Sequence, residues 1–180
     1  NKEAKNGLLE LNQNKETKPN KNQLEALVDL HKTGQFQKAL SVIDDLIRTY
    51  DKDPFLLNIK GSCLCETGDL DASIISLEKA IALKPDYAEA LFNLGVAHQR
   101  LNQPEMAIES YEKALNIQHA YPRVHHNLGI IYFQKDQLNS AIKSFEWAVA
   151  YSPNYSEAYY NLGGAFQKNR QFEKAKKQFE

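Results

Sequence analysis

Four glycines, Gly61, Gly95, Gly129 and Gly163, recur every 34 residues, each inside a similar phrase such as Phe92-Asn93-Leu94-Gly95 or Tyr160-Asn161-Leu162-Gly163. A fixed period of this length marks an array of identical units, each burying its apolar face against the next. Twelve residues after each glycine stands a small residue (Ser73, Ala107, Ala141, Ala175), and four further on a bulky one (Leu77, Tyr111, Phe145, Phe179). Ala80, Ala114 and Ala148 follow three residues later, and Pro85 and Pro153 close two units. Carried backwards, the frame meets Gly34, Ala39 and Ile43 in phase, but Leu27 and Leu46 stand where later units have Gly and Ala. The expected units are 20–53, 54–87, 88–121, 122–155 and a truncated 156–180, preceded by a polar extension, 1–19.

Each unit reads as two amphipathic helices joined by a short turn. Leu91, Leu94, Gly95 and His98 follow helical spacing, and Ala107, Ile108, Tyr111, Ala114 and Leu115 repeat it after the turn. Gly34, Gly68-Asp69, Asn102-Gln103-Pro104 and Asp136-Gln137 supply the breaks. Pro54 and Pro122 suit helix starts, and Asp53 is placed to cap the first of them. A mid-helix glycine costs about 1 kcal/mol against alanine. Four at one period therefore imply that two helix backbones are being brought close together, with the bulky residues filling the holes.

This pattern resembles the tetratricopeptide repeat family over residues 20–180, without insertions. The resemblance implies an all-α, right-handed superhelical solenoid whose first helices line a concave groove. It also implies a non-catalytic protein–protein interaction scaffold that takes a protein or peptide ligand in that groove. The first unit departs most from the pattern. Residues 1–19, polar except for Leu8, Leu9 and Leu11, are open to two readings, an extra helix over the first unit or a loose extension.

Composition narrows the alternatives. A net charge of −1 gives no field for nucleic acid. No apolar run approaches the roughly 20 residues of a membrane span, and the polar start has no signal-peptide core. A cytoplasmic protein without membrane or nucleic-acid partners is expected. Cys63 and Cys65, two apart on a helix, cannot bridge each other; a buried thiol at Cys63 and a groove-wall thiol at Cys65 are expected. Phosphate loops, paired Cys motifs and His-Glu-x-x-His are missing; of the three Ser-x-x-Lys matches, Ser76 and Ser110 recur at the repeat period, and all three, with Ser140, are expected to be surface helix positions. No metal, cofactor or catalytic residue is expected.

On the first helices, Asn93, Asn127 and Asn161 recur at one per unit, with Asn58 one residue out of phase. A carboxamide matches a peptide backbone in donors and acceptors. The series resembles the asparagine ladder in the repeat superhelix of O-linked N-acetylglucosamine transferases, which implies backbone-directed capture of an extended polypeptide; a repeat consensus residue bonding locally is the other reading. Beside it run Phe92, His126 and Tyr160, with Phe133 a further candidate, either packing residues or apolar contacts for a ligand. Arg100 and Arg123, with Lys32 and Lys168, add positive points among Glu66, Glu89 and Glu157. The Lys and Asn positions of a two-carboxylate clamp are not matched. Trp147 stands where a polar residue is usual, partly buried beside Tyr151 or exposed as a second contact surface.

Asn1 is not methionine and Glu180 falls in mid-pattern, so a fragment of a longer chain is expected. Two further readings follow: a self-association module, because Ala175 and Phe179 would lack a following unit, and the substrate-recognition arm of a larger glycosyl-, sulfo- or methyltransferase.

Overall fold

The computed structural model describes residues 18–179. The expectations for 1–19 therefore fall, except for Lys18 and Pro19, outside the described residues. Regular structure there is wholly α-helical, in five consecutive pairs: α1 (Lys21–Lys32) and α2 (Phe36–Ile47), α3 (Pro54–Thr67) and α4 (Leu70–Leu83), α5 (Ala88–Arg100) and α6 (Pro104–Ile117), α7 (Pro122–Gln134) and α8 (Leu138–Tyr151), α9 (Ser156–Lys168) and α10 (Phe172–Phe179).

Local chemistry sets the ends. Asn20 and Gln23 form a reciprocal capping box at α1, and the Asp53 carboxylate accepts the N–H groups of Phe55 and Leu56 at 2.9 and 3.1 Å. The turn inside each pair needs one left-handed residue, and the five that supply it lie 34 apart: Gly34, Gly68, Asn102, Asp136 and Arg170. The backbone requirement is constant while the residue type drifts. An arginine with φ of 58° accepts a strain of about 1 kcal/mol that glycine would not.

The period has a steric cause. A Cβ on Gly129 would lie 2.5 Å from the Phe145 ring, and one on Gly61 2.5 Å from Leu77 Cγ. Gly95 meets the Tyr111 ring in the same way. The small residue twelve positions on closes the contact from the other side; Ser73 there donates its hydroxyl to the Gly61 carbonyl at 2.7 Å. Where Leu27 replaces glycine, α1 and α2 meet less closely than the later pairs do.

The core is a row of patches, each joining one pair to the first helix of the next. Leu27, Ile43, Leu56 and Cys63 belong to one, Leu57, Cys65, Leu77 and Leu94 to the next. Tyr111, Val124 and Ile131 fill the third, and Phe145, Leu162, Phe166 and Ala175 the fourth. Ala175, expected to lie open, is thus buried; the Phe179 side chain lies outside the described part. Cys65, expected on the groove wall, is buried as well, because its neighbouring α5 closes over it. Both thiols are unbridged. Burial, with Glu66 adding, pushes Cys63 up to about 11, and burial raises Cys65 against the pull of Arg100.

Two outcomes follow from this packing. Gly129→Ala should lower unfolding stability by about 1–3 kcal/mol through overpacking against Phe145. Gly164→Ala, whose Cβ meets nothing within 4 Å, should raise it by about 0.5–1 kcal/mol; urea midpoints measure both. In native protein at pH 8, iodoacetamide should leave both thiols unlabelled, and in urea it should label both, as intact-mass spectra would show.

Candidate functional site

The first helices α1, α3 and α5 touch in succession, as do α7 and α9, while contact between α5 and α7 is the thinnest of the series. What staples these helices decides which of their residues face outwards. Positions 58, 92 and 126 lie 34 apart, and each is covered by a tyrosine 29 residues later. The Asn58 carboxamide donates to Tyr87 Oη at 3.2 Å. Phe92 packs against the tilted Tyr121 ring with centroids 5.4 Å apart, under the Arg123 guanidinium at 4.3 Å. His126 Nδ1 meets Tyr155 Oη at 3.1 Å. Exposure falls to 0% for Asn58 and 2% for both Phe92 and His126.

The asparagines 35 residues further on complete the staple. Asn93 Nδ2 donates to Asn58 Oδ1 at 2.9 Å, and Asn161 Nδ2 donates to His126 Nε2 at 2.8 Å. Phe92 offers no acceptor at the corresponding place. Asn127 instead donates to Tyr111 Oη at 2.9 Å, and Tyr111 is the one bulky core residue of its series with a hydroxyl. With Asn161 donating to Nε2, His126 is the neutral Nδ1–H tautomer. Burial holds its pKa below the ordinary value, against the opposing pull of Glu157; burial lowers His125 likewise.

Two cavities open side by side between first helices. One, of about 420 Å³ between α5 and α7, is polar, with Gln99, Arg100, Asn102, Asn127 and Gln134 around Val96. The other, of about 230 Å³ between α7 and α9, is largely apolar, with Ile130, Phe133, Phe145 and Tyr160 beside Asn161, Gly164 and Gln167. The charges nearby are paired between hairpins. Arg100 donates to the Cys65 carbonyl at 2.6 Å and to both oxygens of Glu66 at 2.9 Å, Lys135 pairs with Glu105, and Lys168 lies 2.7 Å from Asp136 and over the Phe133 ring. Among the described residues no His, Cys, Asp or Glu cluster could hold a metal ion, and no helix is long and apolar enough to cross a membrane.

Family comparison agrees with this architecture. A TPR repeat profile matches residues 61–102 and 129–169, and a tetratricopeptide repeat profile matches 88–121, together more than half of the chain. The chain belongs to the tetratricopeptide repeat family. No curated protein matches the sequence. Among solved structures, this tetratricopeptide array is similar to MamA of Desulfovibrio magneticus, with TM-score 0.75 and 22% identity over 88% of this chain and 90% of that one. It is also similar to a thermophilic tetratricopeptide protein of Thermus thermophilus, with TM-score 0.74 and 19% identity over 88% and 87% of the two chains. YrrB, described as a tetratricopeptide protein with an unusual peptide-binding site, aligns with TM-score 0.66 and 17% identity over 87% and 80%. At these identities the likeness establishes the fold.

Within the tetratricopeptide array, the candidate groove residues separate. Of the groove candidates, Asn58, Phe92 and His126 are covered by the next hairpin, which is the packing alternative for Phe92 and His126. Phe133, Tyr160 and Asn161 come together at the apolar cavity, and Arg100 and Asn127 at the polar one. Arg123 lines a third cavity with Tyr121 and Tyr155 near the helix starts. Asn93 is half-buried in its staple, and Tyr160, at the position of Phe92 and His126 in the last pair, is 70% exposed. Trp147 is 40% exposed, stacked on Tyr151 with centroids 5.4 Å apart. The sequence reading passed over Gln99, Gln134, Gly164 and Gln167. Their signal was present: Val96, Ile130 and Gly164 lie one turn beyond the ladder asparagines on the same helix face, and Arg100, Gln134 and Lys168 two turns beyond.

The buried imidazole makes stability depend on pH. Its folded pKa lies below the unfolded value of 6.5, so the unfolded state binds more protons as pH falls. Stability should be level above about pH 6.5 and decline below it. His126→Asn, which copies Asn58 at the corresponding position, should shrink that decline and leave the share due to His125; urea midpoints between pH 5 and 8 measure it.

Proposed function

We propose that this chain is a non-catalytic protein–protein interaction scaffold that holds an extended segment of another polypeptide across its first-helix face. The observation that carries this reading is the pair of adjacent cavities, each with one ladder carboxamide in its wall, Asn127 in the polar one and Asn161 in the apolar one. Packed helices lie about 10 Å apart in general, and an extended chain advances about 3.3 Å per residue, so cavities one first helix apart would meet a ligand at about every third residue.

One N–H of each ladder asparagine is already bonded within the array, Asn93 and Asn161 in staples and Asn127 to Tyr111. The carbonyl and the second N–H are the groups that complement a peptide backbone. At about 0.5–1.5 kcal/mol net per bond, such contacts give modest, sequence-tolerant affinity. The net charge of −1 and the paired groove cations favour neither a nucleic acid nor a strongly acidic ligand. YrrB, a protein of the same fold, is described as having an unusual peptide-binding site, which supports a peptide as the class of ligand.

Replacing all three asparagines would cut staples and contacts together, so the location of the ligand is the cleaner test. Decapeptides selected from a random display library on the intact chain should cross-link to a photoreactive residue at Gln134, in the polar cavity, and not to one at Glu112, on the exposed side of α6. Cross-linking at Glu112 alone, or at neither, would sink the reading.

A further inference from the structure

One wall of the cavity between α7 and α9 is bare because its residue is glycine. Ser62, Val96, Ile130 and Gly164 occupy the same place in successive hairpins. Gly61, Gly95 and Gly129 each face a core side chain that leaves no room for a Cβ, whereas a Cβ on Gly164 meets nothing within 4 Å. Gly164 therefore weakens its helix without gaining a close packing contact, and it leaves a void of about 230 Å³ open to the groove.

We propose that this void is an anchor pocket for one phenylalanine- or leucine-sized side chain of the bound polypeptide. The proposal rests on the groove reading and adds to it a source of selectivity that a carboxamide ladder does not have. Size fits, since an apolar void of about 150 Å³ already takes a benzene ring. Charge fits as well, because every lining residue is neutral and the neighbouring Lys168 and Lys135 are paired with Asp136 and Glu105. A charged side chain entering here would lose its hydration and gain no counter-charge. Phe133, Phe145 and Tyr160 give the pocket aromatic walls, and Asn161 and Gln167 supply polar groups beside them for the ligand backbone. The polar cavity, one helix further along, then receives the backbone or a polar side chain about three residues away in the ligand.

Gly164→Ile reproduces the side chain that Ile130 supplies one repeat earlier and fills the pocket while leaving the core contacts alone. Two measurements test the assignment. In a titration with N-acetyl-phenylalaninamide, amide chemical shifts should move at Gly164, Tyr160 and Phe133; N-acetyl-serinamide, or the phenylalanine amide added to Gly164→Ile, should leave them in place. Decapeptides selected on the wild-type chain should carry Phe or Leu at one fixed place and bind Gly164→Ile roughly tenfold to a hundredfold more weakly. A thermal midpoint no lower than wild type shows that the variant is folded; if it melts early, Gly164→Val repeats the test with the side chain of Val96. Decapeptides that cross-link at Gln134 yet bind Gly164→Ile as tightly as wild type leave the groove reading standing and overturn the anchor. Amide shifts at Gly164 without any groove cross-linking bring down the groove reading, and with it the pocket as a peptide site.

Discussion

The approach of Gly61, Gly95 and Gly129 to Leu77, Tyr111 and Phe145 is the contact on which the array depends. Each glycine removes the one atom that would hold the two helices of a pair apart, and each bulky partner fills the recess that results. Once a pair is closed in this way, its remaining apolar residues form a face that another pair must cover, so the unit propagates. The first pair shows the converse: with Leu27 in the glycine position, α1 and α2 stand further apart, and the core there relies on Ile43, Leu46 and Leu56 of the following segments.

Between pairs, a second and more variable system operates. A tyrosine 29 residues later covers the residue at 58, 92 or 126, an asparagine 35 residues later bonds to it at 58 and 126, and that residue changes from Asn to Phe to His. The chemistry is adjusted each time: amide to phenol, ring on ring, imidazole to phenol. When Phe92 removes the acceptor, the hydroxyl of Tyr111 takes its place, so a substitution on one helix is answered on another.

The helix pairs were legible in the sequence because they follow from spacing alone. Side-chain volume at positions such as Gly95 and Tyr111 states the contact directly. Which first-helix residues face a ligand was much less legible. Phe92 and His126 share a helical face with exposed positions, and what buries them is a tyrosine from the next unit, a relation that no single-helix pattern contains. Tyr87, Tyr121 and Tyr155 do recur every 34 residues; combining that series with the one at 58, 92 and 126 would have revealed the lid. Gly164 was hidden by Gly163 beside it, since two adjacent glycines look alike in a sequence although one is buried and a Cβ on the other would meet nothing within 4 Å. The drift from Gly68 to Arg170 at the turns was hidden for a similar reason, because only the backbone angle is preserved there.

The interruption of the staples at Phe92 bears on how the array is held together. Asn93 with Asn58 and Asn161 with His126 tie first helix to first helix, but Asn127 is tied to a second helix, and α5 and α7 meet only thinly. The carboxamide-lined cleft therefore lies where neighbouring first helices have the fewest direct ties, and the continuity of the array at that place falls to the cluster of Phe92, Tyr111, Val124 and Ile131 beneath it.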